Sequence, residues 1–270
     1  MAHKHGGSFS MDMYAFNSKL KYLNPDYKLI CSVYMLIITI SLNDIYVCIY
    51  VLLSMFFINI FLGGLDVFEY ISVLSMPLGF LVFAGVALAF GISFEPVGEF
   101  YIKAGFFYIY SSKFQIAAAF KIAVRALSCI SIMQALILST MSYEVISALK
   151  NMRIPKLIIE IMNLIYRFIF ILLDVHENMK NAALSRLGYH NIKSSFITFG
   201  STAGNMFITS LKKADDYYTA MEARSFNGDL NFLQEEKKIR LHHIVAAFVY
   251  ILSVFAVWAV HVKYLKGVKL

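Results

Sequence analysis

Residues 45–65 read IYVCIYVLLSMFFINIFLGGL, an uninterrupted stretch without a single charge. A helix rises about 1.5 Å per residue, so about 20 apolar residues cross the roughly 30 Å hydrocarbon core of a bilayer. Inside that core no water reaches the backbone N–H and C=O groups, and a helix satisfies them all within one segment. The stretch therefore reads as a membrane-spanning helix. Comparable uncharged runs cover Leu29 to Asn43, Tyr70 to Phe94, Ala126 to Tyr143 and Ile244 to Val262. The first is short, and Tyr27 and Lys28 are read as snorkelling at its end, stems in the apolar layer and heads in water.

Composition carries the same signal across the chain. Of 270 residues, 59% are hydrophobic and only 15% charged, with a mean hydropathy of +0.67, where a soluble domain is about 25% charged. The expected fold class is all-α: a polytopic helical membrane protein with about five transmembrane helices plus amphipathic cytoplasmic helices. The lipid bilayer is its first partner. A net charge of +7 could suggest nucleic acid, but basic residues flanking spans report topology instead, and no nucleic acid is expected. Residues 1–28 are polar and lead into further spans, so no cleavable signal peptide is read there. Cys31, Cys48 and Cys129 lie in apolar segments without disulfide or zinc spacing and are read as packing residues.

The chain divides by composition. Residues 1–28 carry Lys4, Lys19, Lys21 and Lys28 against Asp12 and Asp26, which places them in the cytoplasm. A membrane block, 29–142, holds four spans and returns the chain to the cytoplasm. Residues 143–241 form a cytoplasmic or interfacial region, and 242–270 a final span with the tail Lys263, Lys266 and Lys269. The stretch 141–241 holds 13 of the 24 Lys and Arg and 10 of the 17 Asp and Glu. Within it Leu157 to Val175 resembles a sixth span, yet it contains Glu160, Arg167 and Asp174, each costing about 2.5–3.5 kcal/mol at a bilayer centre. Spaced by seven, the three share one stripe of an amphipathic helix. The basic tail argues for the sixth span, because five crossings leave it outside; five is the reading adopted. Met152-Arg153-Ile154-Pro155 marks a helix break. Ser194 to Leu211 is too polar for a span, although Gly200 and Gly204 have the spacing that lets helices approach closely.

No chemistry of catalysis is visible: there is no HExxH, GxSxG, P-loop or CxxC pattern, so neither enzyme activity nor a cofactor is expected. His242-His243 borders the last span as an interfacial pair. His3 and His5 carry imidazoles suited to nickel, copper or cobalt, though a tail is the plainer reading. Lys121 and Arg125, four apart near the start of the fourth span, either snorkel or form an intramembrane ion pair.

Two arginine motifs remain: Ala183-Leu-Ser-Arg-Leu-Gly188 and Ala220-Met-Glu-Ala-Arg-Ser-Phe-Asn-Gly228. Each follows a helix-compatible run and precedes a turn signal, Gly188 after Arg186 and Asn227-Gly228 after Arg224. Each arginine thus sits near a helix C-terminus, where the dipole favours a cation. Its guanidinium offers five donors in a fixed fork. Solvated helix caps are the alternative reading.

Ala148 to Leu157, Tyr166 to Asp174 and Ala220 to Gly228 together resemble the signature stretch of energy-coupling-factor (ECF) transporter T components. Asn17 to Lys28 is similar to the N-terminus of the cobalt/nickel, CbiQ-type branch. The resemblance implies a membrane scaffold of a prokaryotic plasma-membrane importer whose partners are two cytoplasmic ATPase subunits and a substrate-binding S component, with cobalt or nickel as cargo. Carried over, the ATPase-coupling residues are Arg186 with Ser185 and Leu187, and Arg224 with Ala223 and Ser225. Both motifs lack the glycine that usually follows the arginine. The alternative is a self-sufficient channel or carrier, with Lys121, Arg125, Glu160 and Arg167 lining its path.

Overall fold

The computed structural model describes residues 7–93, 100–104, 107–152, 154–226, 237 and 240–267. His3, His5, Arg153, the Asn227-Gly228 pair and Lys269 lie outside the described residues. Helix α1 (Gly7–Asn17) and a 3-10 turn (Lys19–Tyr22) lead into α2 (Pro25–Leu42), α3 (Ile45–Phe57), α4 (Val67–Ala89), α5 (Lys113–Ile137), α6 (Ser142–Asn151), α7 (Lys156–Ser185), α8 (Ile192–Glu222) and α9 (Leu241–Gly267). Five of these, α2, α3 with its extension to Leu62, α4, α5 and α9, are long and apolar enough to cross a membrane. The helical membrane fold is as expected, and the 157–175 segment, which lies in α7, is not among the five.

The caps explain where the first spans begin and end. Asn24 accepts from the N–H groups of Asp26 and Tyr27, and Pro25 stands at the first helical position. Asn43, at φ 48°, stops α2, and Asp44 caps α3 by accepting from Tyr46 N. Beyond Phe57 the helix widens into a π-turn, Ile58–Leu62, in which Gly63 N reaches back to Ile58 O at 2.9 Å. A Cβ on Gly63 would lie 2.3 Å from Asn59 O, so only glycine fits. The Gly63 carbonyl then accepts from Lys19 N at 3.0 Å and Ser18 Oγ at 3.3 Å, fastening the N-terminal segment to the end of this span.

The start of the fourth span differs from the sequence reading. The fourth span starts at Lys113 rather than Ala126, because counting uncharged residues stops at Arg125 while the Ala-rich helix runs on through it. Lys121 and Arg125 accordingly lie within α5, Lys121 exposed and Arg125 half-buried, and among the described residues no carboxylate pairs with either. A three-stranded antiparallel sheet separates α4 from α5. In it β1 (Gly91–Ser93) and β2 (Phe100–Ala104) both pair with β3 (Phe107–Ser111), in registers that set Ile92 and Ile102 opposite Ile109. Aromatic and β-branched residues favour such strands.

The chain forms two compact units, 1–148 with 236–270, and 149–235. In the first, Met35, Val47, Val51, Met55, Ile132 and Val254 form the core where α2, α3, α5 and α9 meet. Lipid is as apolar as leucine, so polar links between helices add what burial alone does not. Ser128 Oγ donates to Cys48 O (2.6 Å) and Gln134 Nε2 to Val73 O (3.2 Å), while Tyr50 OH and Ser253 Oγ stand 2.8 Å apart. The first turn of α3 is tied to α9 by Asp44 Oδ2 and His261 Nδ1, 2.5 Å apart.

At the opposite end of α2 lies a buried ionic cluster, and here the snorkelling expectation fails. Lys28 is 7% exposed: its ammonium donates to Ser139 O at 2.6 Å and stands 3.9 Å from Glu144 Oε2. Glu144, 4% exposed, also pairs through Oε1 with Lys237. Lys237 Nζ donates to Lys21 O (2.5 Å), and Asn24 Nδ2 to Lys237 O (2.5 Å). Burial without partners is what a charge cannot tolerate, so Lys28 turns inward to the carbonyl and carboxylate available there.

In the second unit Arg167 donates to the Tyr217 hydroxyl and lies 5.4 Å from its ring centre, while Phe168 meets the same ring edge-on at 5.6 Å. Lys156 pairs with Glu160 at 3.7 Å, and Asp174 is exposed. Gly200 and Gly204 face open space, so among the described residues their spacing brings no other helix close.

Glu144→Gln leaves two buried ammonium groups facing a neutral amide. Losing one partner of a buried pair costs about 3–5 kcal/mol, so the thermal midpoint in detergent should fall clearly; an unchanged midpoint would remove the cluster from the account. Five crossings also predict that reporters fused at the two termini report opposite sides of the membrane; same-side signals would require a sixth.

Candidate functional site: two arginine-bearing helix ends

Both arginines close a helix in the same way. At the end of α7, Gly188 N donates to Ala183 O (2.9 Å) and Leu187 N to Leu184 O (3.1 Å). At the end of α8, Phe226 N donates to Met221 O (3.1 Å) and Ser225 N to Glu222 O (3.0 Å). This is the paired pattern of the Schellman motif, which satisfies the orphan carbonyls of a helix end and needs a left-handed residue just past the cap. Leu187 and Ser225 supply it, at φ 55° and 61°. Arg186 and Arg224 therefore occupy equivalent cap positions, each exposed, and among the described residues neither guanidinium has an ion-pair or hydrogen-bond partner.

The motifs are not brought together into one site. They lie beyond opposite ends of α8, whose 31 residues make a rod about 46 Å long. Ser185 bonds back to Asn181 O at 3.0 Å, and Ala223 is exposed on the last turn of α8.

Gly188 does a different job from the one its sequence position suggested. The left-handed residue is Leu187, and Gly188 is required for close approach. A Cβ there would come within 2.8 Å of Thr198 Oγ1, and the Gly188 carbonyl accepts from Thr198 Oγ1 (2.8 Å) and Ser194 Oγ (2.9 Å). The first motif is thus a closed elbow held by the opening turns of α8. Near the second, Tyr218 donates to Glu222, whose carboxylate pushes the phenol pKa up.

The cobalt transport protein family CbiQ matches residues 16–237. The chain belongs to that family. It is 30% identical to an uncharacterized protein of Methanocaldococcus jannaschii, over 92% of this chain and 91% of that one. It is 27% identical to a putative fused cobalt transport protein CbiMQ of Methanocorpusculum labreanum, over 91% of this chain but 41% of that longer protein. It is 28% identical to the cobalt transport protein CbiQ of Salmonella typhimurium, over 58% of this chain and 71% of that one. Membership places the multi-pass helical chain among transport proteins. Among the described residues no group of His, Cys, Asp and Glu is arranged to hold a metal ion.

The Lys28–Glu144–Lys237 cluster was not visible in the sequence. Glu144 is a lone acid after an apolar run, and nothing local says that it is buried beside residue 237.

Leu187→Gly and Ser225→Gly should each stabilise the chain. A left-handed residue carrying a Cβ costs roughly 1–2 kcal/mol, although glycine's freer unfolded chain returns part of the gain. Leu187 is 72% exposed, so little burial is lost. A raised thermal midpoint checks this, whereas Gly188→Ala should lower it.

Proposed function

We propose that this CbiQ-family chain is the membrane scaffold and coupling subunit of an ECF-type importer, most directly for cobalt or nickel. The observation that carries the reading is the pair of matched caps. Two exposed arginines, without a partner among the described residues, stand on the same backbone scaffold at the two ends of one long helix. Two arginine forks presented alike suit two receptors, and acidic grooves on two cytoplasmic ATPase subunits are receptors of the right charge.

In this reading residues 1–28 and 143–241 face the cytoplasm and the five spans sit in a prokaryotic plasma membrane. Closure of the ATPase pair moves the two caps, and α7 and α8 pass that motion to a substrate-binding membrane subunit. Exposed Phe196, Phe199, Phe207 and Leu211 on α8 and Ile161 and Ile165 on α7 offer that subunit an apolar face; exposed apolar surface on this scale marks an interaction site. The fused relative, whose name joins CbiM and CbiQ, supports a second component in the same assembly. The charged groups of the channel alternative fit less well. Glu160 and Arg167 are already engaged, with Lys156 and with Tyr217.

Charge reversal at either arginine sets a carboxylate against an acidic groove, and like charges brought together across an interface repel. Arg224→Glu and Arg186→Glu should therefore each insert normally yet lower ATP-driven uptake of cobalt or nickel at least about tenfold. Normal uptake by both variants would sink the coupling role, and uptake by the purified chain alone in liposomes would favour the channel.

A further inference from the structure

The two caps share a backbone but not a surface. Around the first, over residues 177–188, Lys180 and Arg186 stand against Glu177 alone, and Leu184 and Leu187 are both exposed beside the arginine. Around the second, over the equivalent residues 215–226, Arg224 stands against Asp215, Asp216 and Glu222, all exposed, and the left-handed position holds Ser225 rather than Leu. Over these twelve residues the first helix end has two cations, one acid and apolar shoulders, and the second one cation and three acids, with Lys212 and Lys213 one turn further from Arg224 and Asp174 one turn further from Arg186.

They differ in preparation as well. The first cap is braced by the two hydroxyl bonds from Ser194 and Thr198 to the Gly188 carbonyl, and Gly188 has no room for a side chain. A site held in its bound shape loses less entropy on binding.

We infer that the two helix ends are unequal grips on an acidic groove: the Arg186 end is the firm one, seated by attraction and apolar contact, and the Arg224 end is the weak, exchangeable one. The inference rests on the docking reading above and adds which contact releases first. An acidic groove attracts the first end at long range. It repels the acids around the second, so only the short-range arginine contact holds there. Salt screens long-range charge within about 10 Å at 0.1 M, so the two grips should respond to it differently: the first weakens as salt rises, while the second holds or tightens.

The test uses the full chain in detergent with the source organism's cobalt-transport ATPase, reading the dissociation constant against potassium chloride. Arg224→Ala leaves the first grip and should cost less than about threefold at low salt, with affinity falling as salt rises. Arg186→Ala leaves the second and should cost at least about tenfold, with no fall. Losing a like charge beside an exposed contact is worth about 0.2–1 kcal/mol, so Glu222→Gln should tighten binding about twofold to fivefold. Leu187→Ser, which removes an apolar shoulder from an exposed site, should weaken it. Equal losses from the two alanine variants with equal salt slopes, and no effect of Glu222→Gln, would overturn the inequality while leaving docking intact. No loss from either alanine variant would overturn docking itself, and this inference with it.

Discussion

A carboxylate as deeply buried as Glu144 must be answered by positive charge, and the answer comes from two places far apart in sequence. Lys28 opens the first span, and Lys237 precedes the last. Around them the carbonyls of Leu20, Lys21 and Ser139 take the remaining ammonium donors. The N-terminal segment, α2, the end of α5, α6 and the approach to α9 are thereby held at one point. The chain leaves the first unit four residues after Glu144 and re-enters it one residue before Lys237.

The spans were legible because the bilayer imposes one rule on every residue within it. Runs such as 45–65 have no other reading. The rule is silent where a helix carries charge and continues regardless, which is why the uncharged run begins at Ala126 while α5 begins at Lys113. It is also silent on partners across the sequence. Lys28 looked like a snorkelling residue because its hydrogen-bond acceptor, Ser139 O, lies 111 positions away. The short sheet before α5 is set by pairing between strands, and no single strand of 3 or 5 residues announces itself.

At the candidate site the sequence located the arginines but misplaced the left-handed residue. Gly188 is the residue that glycine's preference for helix ends predicts, yet the hydrogen-bond ladder puts the reversal one position earlier, at Leu187. Backbone bonds close both helix ends alike although only the arginine is common to the two motifs. A Schellman end demands a backbone conformation, and glycine merely makes it easier. This chain reaches the same geometry with Leu and Ser, which leaves their side chains free to differ in chemistry where glycine would have nothing to show.

The insertion of 149–235 within the first unit has a consequence for how the protein comes into being. Chains are made from the N-terminus, and domains fold as they emerge, at roughly 5–20 residues per second. When the second unit is complete, Lys237 and Val254 have not yet been synthesised. Glu144 and Lys28 are then a buried pair lacking its second cation, and the core around Met35, Val51 and Ile132 lacks one wall. The last span is thus the element that completes the core, and Val254 brings the final wall to Met35, Val51 and Ile132.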